Sequence, residues 1–204
     1  MRLILDMGSG ASLPNVETAR KMIEEVAKRD TKKHEIIFKA QLFESAPPNI
    51  RLGWDVFNAA HTYARDLGYQ CTASVFDSVS LSFLLWHEIP FVKIACRPDL
   101  YWLAGEVPRK VPIHISCGSD WDIQDVPSTT FDAVWFDCVR KYPAESQDYD
   151  WSDLVWVSDH TIGWGLLGKA QHPQVWEKHL KLPDTTGPDA GPWAVTPQEW
   201  EGII

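Results

Sequence analysis

The feature that most constrains this chain is an alternation of short apolar runs with amphipathic or loop segments, repeated eight times. The runs are Leu3 to Leu5 closed by Asp6, Ile36 to Phe38 continuing to Lys39 and Gln41, Gln70 to Val75, Phe91 to Ala95, Val111 to Ile115, Ala133 to Phe136, Leu154 to Val157, and Gln174 to Trp176. Several are apolar almost throughout, as strands are when both faces are buried. Between the first two, Val16, Ala19, Met22, Ile23, Val26 and Ala27 fall at helical spacing, and Phe57, Ala60, Ala64 and Leu67 repeat that stripe before the third. Further helices are expected around Val79 to Trp86 and Tyr101 to Glu106, with a weak one within Asp122 to Thr130 and a crossover helix within Ile162 to Gln171. Eight βα units predict an α/β fold, a compact (β/α)8 TIM barrel forming a single domain over residues 1–204. A doubly wound open sheet is the rival, but it would not normally need eight short strands.

Composition narrows the function classes. With 204 residues and 45% apolar content the chain can bury a full core. A net charge of −9, with no stripe of lysines or arginines, argues against a nucleic-acid surface. No apolar run is long enough to span a membrane, and Asp6 follows the N-terminus too soon for a signal peptide. A cytoplasmic protein with neither nucleic-acid nor membrane partner is expected. Cys71, Cys96, Cys117 and Cys138 contain no CxxC pair and read as buried free thiols at strand ends. Of the eleven tryptophans, Trp54, Trp102, Trp164 and Trp193 fall near loops where a sugar face could stack.

Ligands of such a barrel bind at the C-terminal ends of its strands. The polar residues there are, in order, Asp6; Lys39 and Gln41; Ser74; Lys93 and Cys96; Ser116; Cys138, Arg140 and Tyr142; Ser158, Asp159 and His160; Glu177 and His179. Lys39, Lys93 and Arg140 around one rim of an acidic protein suit a phosphate or carboxylate. His160 and His179, on adjacent strand ends with Asp6 across the barrel, suit a divalent metal. Ser158 or Asp159 could instead cap a following helix, and Lys178 is expected to point away from the mouth into solvent. Leu182 to Pro192 is too rich in proline and glycine for an element and is expected to fold over the mouth, before a last helix starting near Thr196-Pro197.

Together these pieces resemble the sialic acid (N-acetylneuraminate) synthase family, enzymes that condense phosphoenolpyruvate with an acylamino sugar. The matching segments, in the family's order, are Phe38-Lys39-Ala40-Gln41, Ser74-Val75-Phe76-Asp77, Phe91-Val92-Lys93-Ile94-Ala95-Cys96, Ile115-Ser116-Cys117-Gly118, Cys138-Val139-Arg140-Lys141-Tyr142-Pro143, Ser158-Asp159-His160-Thr161, Glu177-Lys178-His179 and Gly187-Pro188-Asp189. The resemblance implies that His160 and His179 hold manganese, with Mg2+ or Co2+ as substitutes. It implies that Lys39, Ser74, Lys93, Cys96, Ser116 and Ser158 hold phosphoenolpyruvate; Arg140, which departs from the family, could strengthen anion binding. Gln41, Tyr142 and Asp189 match positions that meet the sugar aldehyde, and Glu177 matches a carboxylate at the reacting centre, with Asp6 beside it. The departures are specific. Asp6 stands for a glutamate, Gly10-Ala11 for an Asn-His pair, Cys96 for a serine, Pro98 for an acidic residue and Arg140 for an asparagine. The family's C-terminal antifreeze-like domain has no counterpart in these 204 residues, so a barrel-only member is expected. Family members are dimers, and a homodimer is admissible, although the sequence fixes no oligomeric state.

The expected activity is metal-dependent condensation of phosphoenolpyruvate with an aldose-like acceptor, giving a 2-keto-3-deoxy sugar acid and phosphate. Two alternatives stand beside it. One is a degenerate barrel that binds a phosphorylated or acidic ligand without turnover; the other is a metal-dependent sugar isomerase or aldolase, which would have less need of three cations on one rim.

Overall fold

The computed structural model describes residues 1–44, 49–118, 133–150 and 154–200. Eight parallel strands close into a barrel in chain order. They are β1 (Arg2–Asp6), β2 (Glu35–Leu42), β3 (Gln70–Val75), β4 (Val92–Ile94), β5 (Ile113–Cys117), β6 (Val134–Cys138), β7 (Trp156–Asp159) and β8 (Val175–His179), and β8 pairs back onto β1. The TIM-barrel reading of the alternation is therefore correct. No helix among the described residues is long and apolar enough to cross a membrane.

Period-two alternation sends each strand's side chains to two faces. Leu3, Leu5, Ile36, Phe38, Ala73, Val92, Ile94, Ile115, Val157 and Trp176 face outward and join the covering elements in the main core. Ile4, Ile37, Phe91, Phe136 and Val175 form a second, smaller cluster inside the barrel. Two residues further along the same inward rows stand Asp6, Lys39, Lys93, Cys138 and Glu177. The interior thus changes from an apolar plug to a polar layer within one step of the strand repeat. His114 belongs to the plug: it stacks on Phe91 at 3.8 Å between centroids, and its Nδ1 has no hydrogen-bond partner among the described residues.

The first half of the barrel is covered by α1 (Val16–Ala27), α2 (Trp54–Asp66) and α3 (Ser78–Leu84). Asn15 caps α1 by accepting from the Thr18 N–H, and Asp77 caps α3 by accepting from the Ser80 N–H. Leu67 falls just past α2 and is exposed, as are Val79 and Trp86 on and after α3, so the expected stripes are shorter than the spacing implies. The second half departs further. Its described covering segments are 3-10 turns, Pro98–Glu106, Ser146–Asp148, Leu167–Lys169 and Pro197–Trp200. The crossover helix expected within Ile162 to Gln171 does not form. Gly163, Gly165 and Gly168 interrupt that segment, each costing about 1 kcal/mol against alanine in a helix, and Gly163 takes a positive φ of 61°. The weak helix expected within 122–130 lies outside the described residues.

A second correction concerns Lys178. It does face away from the barrel interior, but it is fully buried, 3.1 Å from the Asp159 carboxylate with which it pairs in register, and it donates to the Thr161 carbonyl at 2.5 Å. Asp159 also accepts from Trp176 Nε1 and from the Thr161 N–H and hydroxyl. This pair staples the last two strands outside the barrel rather than entering the site. Removing one member strands the other as an uncompensated buried charge. Asp159→Ala is expected to destabilise the fold by about 3–5 kcal/mol in urea denaturation, and a loss below about 1 kcal/mol would remove the staple from the account. His114 gives a pH signature. Burial, and then the Lys93 charge, push it from 6.5 down to about 3, so the unfolded chain binds its proton first and stability falls as pH drops from 6.5 towards 3. His114→Gln should flatten that part of the stability profile.

Candidate functional site

The polar layer opens into a cavity of about 510 Å³ at the C-terminal ends of the strands. It is lined by Asp6, Lys39, Gln41, Ser74, Lys93, Cys96, Ser116, Arg140, Tyr142, Ser158, His160, Glu177, His179 and Asp189, so every sequence-predicted site residue converges there. Strand register explains the convergence. Asp6 lies opposite both Lys39 and His179, Gln41 opposite Ser74, Ser74 opposite Lys93, and Ser158 opposite Glu177.

At the floor, two carboxylates and two lysines are buried together. Lys39 Nζ donates to Asp6 Oδ2 at 2.7 Å and to Ser74 Oγ at 2.8 Å, and lies 3.6 Å from Glu177 Oε1. Lys93 Nζ donates to Ser116 Oγ, lies 3.7 Å from Glu177 Oε2 and sits over the Phe136 ring at 4.8 Å. The lysines are not equivalent. Burial alone would lower Lys39, but Asp6 and Glu177 more than reverse this and hold it above an ordinary lysine. Burial pushes Lys93 below the ordinary value; Glu177 opposes the fall and the Lys39 charge adds to it. Lys39 is matched by a close contact to Asp6, whereas Lys93 has only the longer contact to Glu177 to offset its burial. Burial would raise both acids, yet Lys39 and then His179 hold Asp6 far below the usual carboxylate range, and Lys39 with Lys93 lower Glu177. Glu177 Oε1 accepts from the Ser158 hydroxyl at 3.1 Å, while Oε2 has no hydrogen-bond partner among the described residues.

The histidines stand beside this floor with ring centroids 5.5 Å apart, a separation of the order expected for two imidazoles on one ion. The Val139 carbonyl, 2.6 Å from His160 Nδ1, can only accept, so Nδ1 carries the proton and Nε2 keeps its lone pair. Burial, and then His179, push His160 down to about 3, which keeps it neutral as a metal ligand must be. His179 Nδ1 is buried without a hydrogen-bond partner among the described residues, 4.0 Å from Asp6 Oδ2. The donor set therefore fits a divalent cation. Among the described residues no three His, Cys, Asp or Glu side chains form a complete metal cluster, so an ion here would draw its remaining ligands from solvent or substrate.

Several contributors carry no motif. The Tyr149 hydroxyl donates to the Ser158 carbonyl at 2.9 Å and accepts from the His160 N–H at 3.1 Å, fixing the turn that presents His160. The Tyr101 hydroxyl does the same for β5 by donating to the Ser116 carbonyl. Neither was identifiable from sequence, since each reaches main chain on a separate segment. The expected loop over the mouth is present. Asp189 accepts from the Ser9 N–H and hydroxyl and from Gln41 Nε2, so two residues expected at the sugar also tie down the 182–192 loop. Of the four candidate stacking tryptophans only Trp193 lines the cavity, 5.3 Å from Tyr142 between centroids; Trp54 packs on Phe83 elsewhere. Gly10 has a steric reason. A Cβ there would lie 2.2 Å from the Arg51 carbonyl oxygen, so the loop after β1 has no room for a side chain at this point.

Lys93→Met keeps roughly the side-chain volume and removes the charge beside Ser116. Calorimetry with orthophosphate is expected to show binding to the wild type, weakened roughly tenfold or more by this change, as loss of a charged hydrogen bond implies. Equal affinity in the two proteins would refute an anion site at Lys93.

Comparison with known proteins adds the following. A family model described as the NeuB family matches residues 15–204. A search of curated protein sequences gives no match. Among solved structures the chain is similar to the N-acetylneuraminic acid (sialic acid) synthetase of Leptospira borgpetersenii serovar Hardjo-bovis, solved with citrate, with a TM-score of 0.74 at 19% identity over 98% of this chain and 80% of that one. It is similar to a spore coat polysaccharide biosynthesis protein of Bacillus subtilis, with a TM-score of 0.75 at 17% identity over 99% of this chain and 65% of that one. A truncated 3-deoxy-D-arabino-heptulosonate 7-phosphate synthase of Thermotoga maritima follows, with a TM-score of 0.67 at 11% identity over 100% and 83%. At these identities the structural likeness is one of fold.

Proposed function

The chain belongs to the NeuB family, and from that premise we propose that it condenses phosphoenolpyruvate with the aldehyde of an open-chain, acylamino-type sugar, releasing phosphate and a 2-keto-3-deoxy sugar acid. The observation that carries this reading is the under-compensated Lys93, set with Ser116 and Arg140 around a closed polar floor where a phosphate or carboxylate fits. Asp6 and Glu177 carry as much formal charge as Lys39 and Lys93, so the floor as a whole has no net positive charge even though Lys93 itself has only the longer contact to Glu177. A trianionic substrate therefore needs further positive charge, which Arg140 and a divalent cation would supply. Manganese is the cation proposed, held by His160 Nε2 and the His179 ring; when bound it would supply Lewis-acid polarisation of a carbonyl oxygen.

The chain's own residues then divide the work. Lys93, Ser116, Ser74 and Arg140 hold the phosphate and carboxylate, so that C3 of phosphoenolpyruvate faces the acceptor aldehyde. A carbon–carbon bond forms from C3 to the aldehyde carbon, and positive charge develops at C2 beside the Glu177 carboxylate, which stabilises it. Water adds at C2, its proton passing to Glu177 Oε2, which accepts no hydrogen bond from the described residues. The aldehyde oxygen takes up the proton that Glu177 received, and the C2–O bond to phosphate breaks as the C2 hydroxyl proton leaves with the phosphate, giving the keto acid. Asp6, bonded to Lys39 and Gln41 and facing His179, keeps these groups aligned. Tyr142 and Trp193 form the aromatic wall against which the sugar is placed. Cys96, where the family has serine, and Ser158 complete the cavity lining.

Incubation with phosphoenolpyruvate, manganese and a panel of amino sugars should give acceptor-dependent phosphate release. His160→Ala, checked for folding by circular dichroism, should lower that rate on the order of a hundredfold or more. Absence of acceptor-dependent release with every sugar would overturn the synthase reading, and near-normal turnover by His160→Ala would remove the metal assignment.

A further inference from the structure

The aromatic wall of the cavity is built by a turn in the segment after β8. The Ala194 N–H donates to the Gly191 carbonyl at 3.1 Å, closing Gly191-Pro192-Trp193-Ala194, with proline at the second position, where its fixed φ suits a turn. The end of the barrel holds this turn from behind. The Val195 N–H donates to the His179 carbonyl and the Lys181 N–H to the Val195 carbonyl, each at 2.9 Å, so main-chain bonds tie the turn to the strand that carries His179. Lys181 Nζ donates to the Ala190 and Gly191 carbonyls at 3.1 and 2.9 Å, and Asp189 anchors the preceding residues to Ser9.

Within the turn the indole folds back over Gly191. A Cβ on Gly191 would lie 2.3 Å from Trp193 Cη2 and 2.4 Å from Cζ3, well inside the contact distance of two carbons, so any side chain there displaces the ring. The same ring lines the cavity and meets Tyr142 edge-on, with centroids 5.3 Å apart and planes at 67°. Tyr142 in turn lies 4.1 Å from the His160 ring, so the indole closes a chain of rings that begins at the histidine pair. We propose that Gly191 and Trp193 act as one acceptor-selecting unit. The indole, seated over the glycine, is the platform for the apolar C–H face of the acceptor sugar, and Gly191 is a positioning residue that acts through it. The sugar's identity rests on the synthase reading; the platform itself does not. An indole face offers a broad apolar surface and no charge, so it selects an acceptor by fit rather than by ion pairing. Its contribution falls on the acceptor, since the cations proposed for phosphoenolpyruvate, Lys93 and Arg140, come from β4 and from the segment after β6.

The test varies acceptor and phosphoenolpyruvate separately in the phosphate-release assay, with manganese and the panel of amino sugars. It compares the wild type with Trp193→Phe, Trp193→Ala, Gly191→Ala and the Gly191→Ala/Trp193→Ala double variant, each checked for folding by circular dichroism. Trp193→Ala is expected to raise KM for the best acceptor about tenfold or more, the scale of losing an apolar contact in a binding pocket, while KM for phosphoenolpyruvate stays within about twofold. Trp193→Phe should recover much of the loss. Gly191→Ala alone should show a loss of the same kind, and that loss should vanish in the Trp193→Ala background, where there is no indole to displace. An unchanged acceptor KM in Trp193→Ala, equal effects on both substrates, or a Gly191→Ala effect that persists in full without the indole would overturn the proposal. Should no sugar support phosphate release, the synthase reading falls, and calorimetry with the same sugars tests the platform by itself. Sugar binding weakened about tenfold by Trp193→Ala would uphold it, and binding that is absent from the wild type, or equal in the two proteins, would overturn it.

Discussion

The site depends on four buried charges that compensate one another incompletely. Asp6 and Glu177 face Lys39 and Lys93 at the floor of the barrel mouth, each almost wholly removed from water. Burying any one alone would cost several kcal/mol. Together they are tolerable because Lys39 is matched by close contacts to Asp6 and Ser74, and Glu177 lies between the two lysines. The remaining imbalance falls on Lys93. Lys39 is held by close contacts on both sides, and Lys93 is the cation of the floor with the weaker carboxylate contact.

The barrel supplies this arrangement through one rule applied to each strand. Inward positions are apolar below and polar above, and adjacent strands are in register, so changing residue type two positions along a strand moves the interior from plug to site. The plug of Ile4, Ile37, Phe91, Phe136 and Val175 keeps water from beneath the charges and lowers the local dielectric in which they act. Outside the barrel, the Asp159–Lys178 pair binds β7 to β8, and Tyr149 holds the turn after β7, so His160 and His179 meet across strands fixed from both sides. Positioning of this kind suits a site whose ligands come from eight different strands.

Much of this is legible in the sequence, and the parts that are not share a cause. Strand ends announce themselves because each apolar run stops at a polar residue, and all of those residues but Asp159, which pairs with Lys178 outside the barrel, reach one cavity. Strand starts are less visible. The run beginning at Val111 pairs only from Ile113, because Pro112 has no N–H for the ladder and offers only its carbonyl, to the Val92 N–H. Helical spacing identified α1 and α2, where Asn15 and an apolar stripe agree, but overestimated the segment from Ile162, where three glycines outweigh the apolar residues. Lys178 was legible as outward-facing but not as buried, because its partner is fixed by the β7–β8 register rather than by sequence neighbours. The contacts of Tyr101 and Tyr149 are likewise products of barrel closure.

The central claim is that this polar floor is a cradle for phosphoenolpyruvate with a cation beside it. A crystal structure of the protein with phosphoenolpyruvate and manganese tests it most directly. The account predicts phosphate or carboxylate density within hydrogen-bonding distance of Lys93 Nζ and Ser116 Oγ, and a metal peak between His160 and His179. Density for the ligand away from Lys93, or a metal bound elsewhere with the two rings unligated, would contradict it.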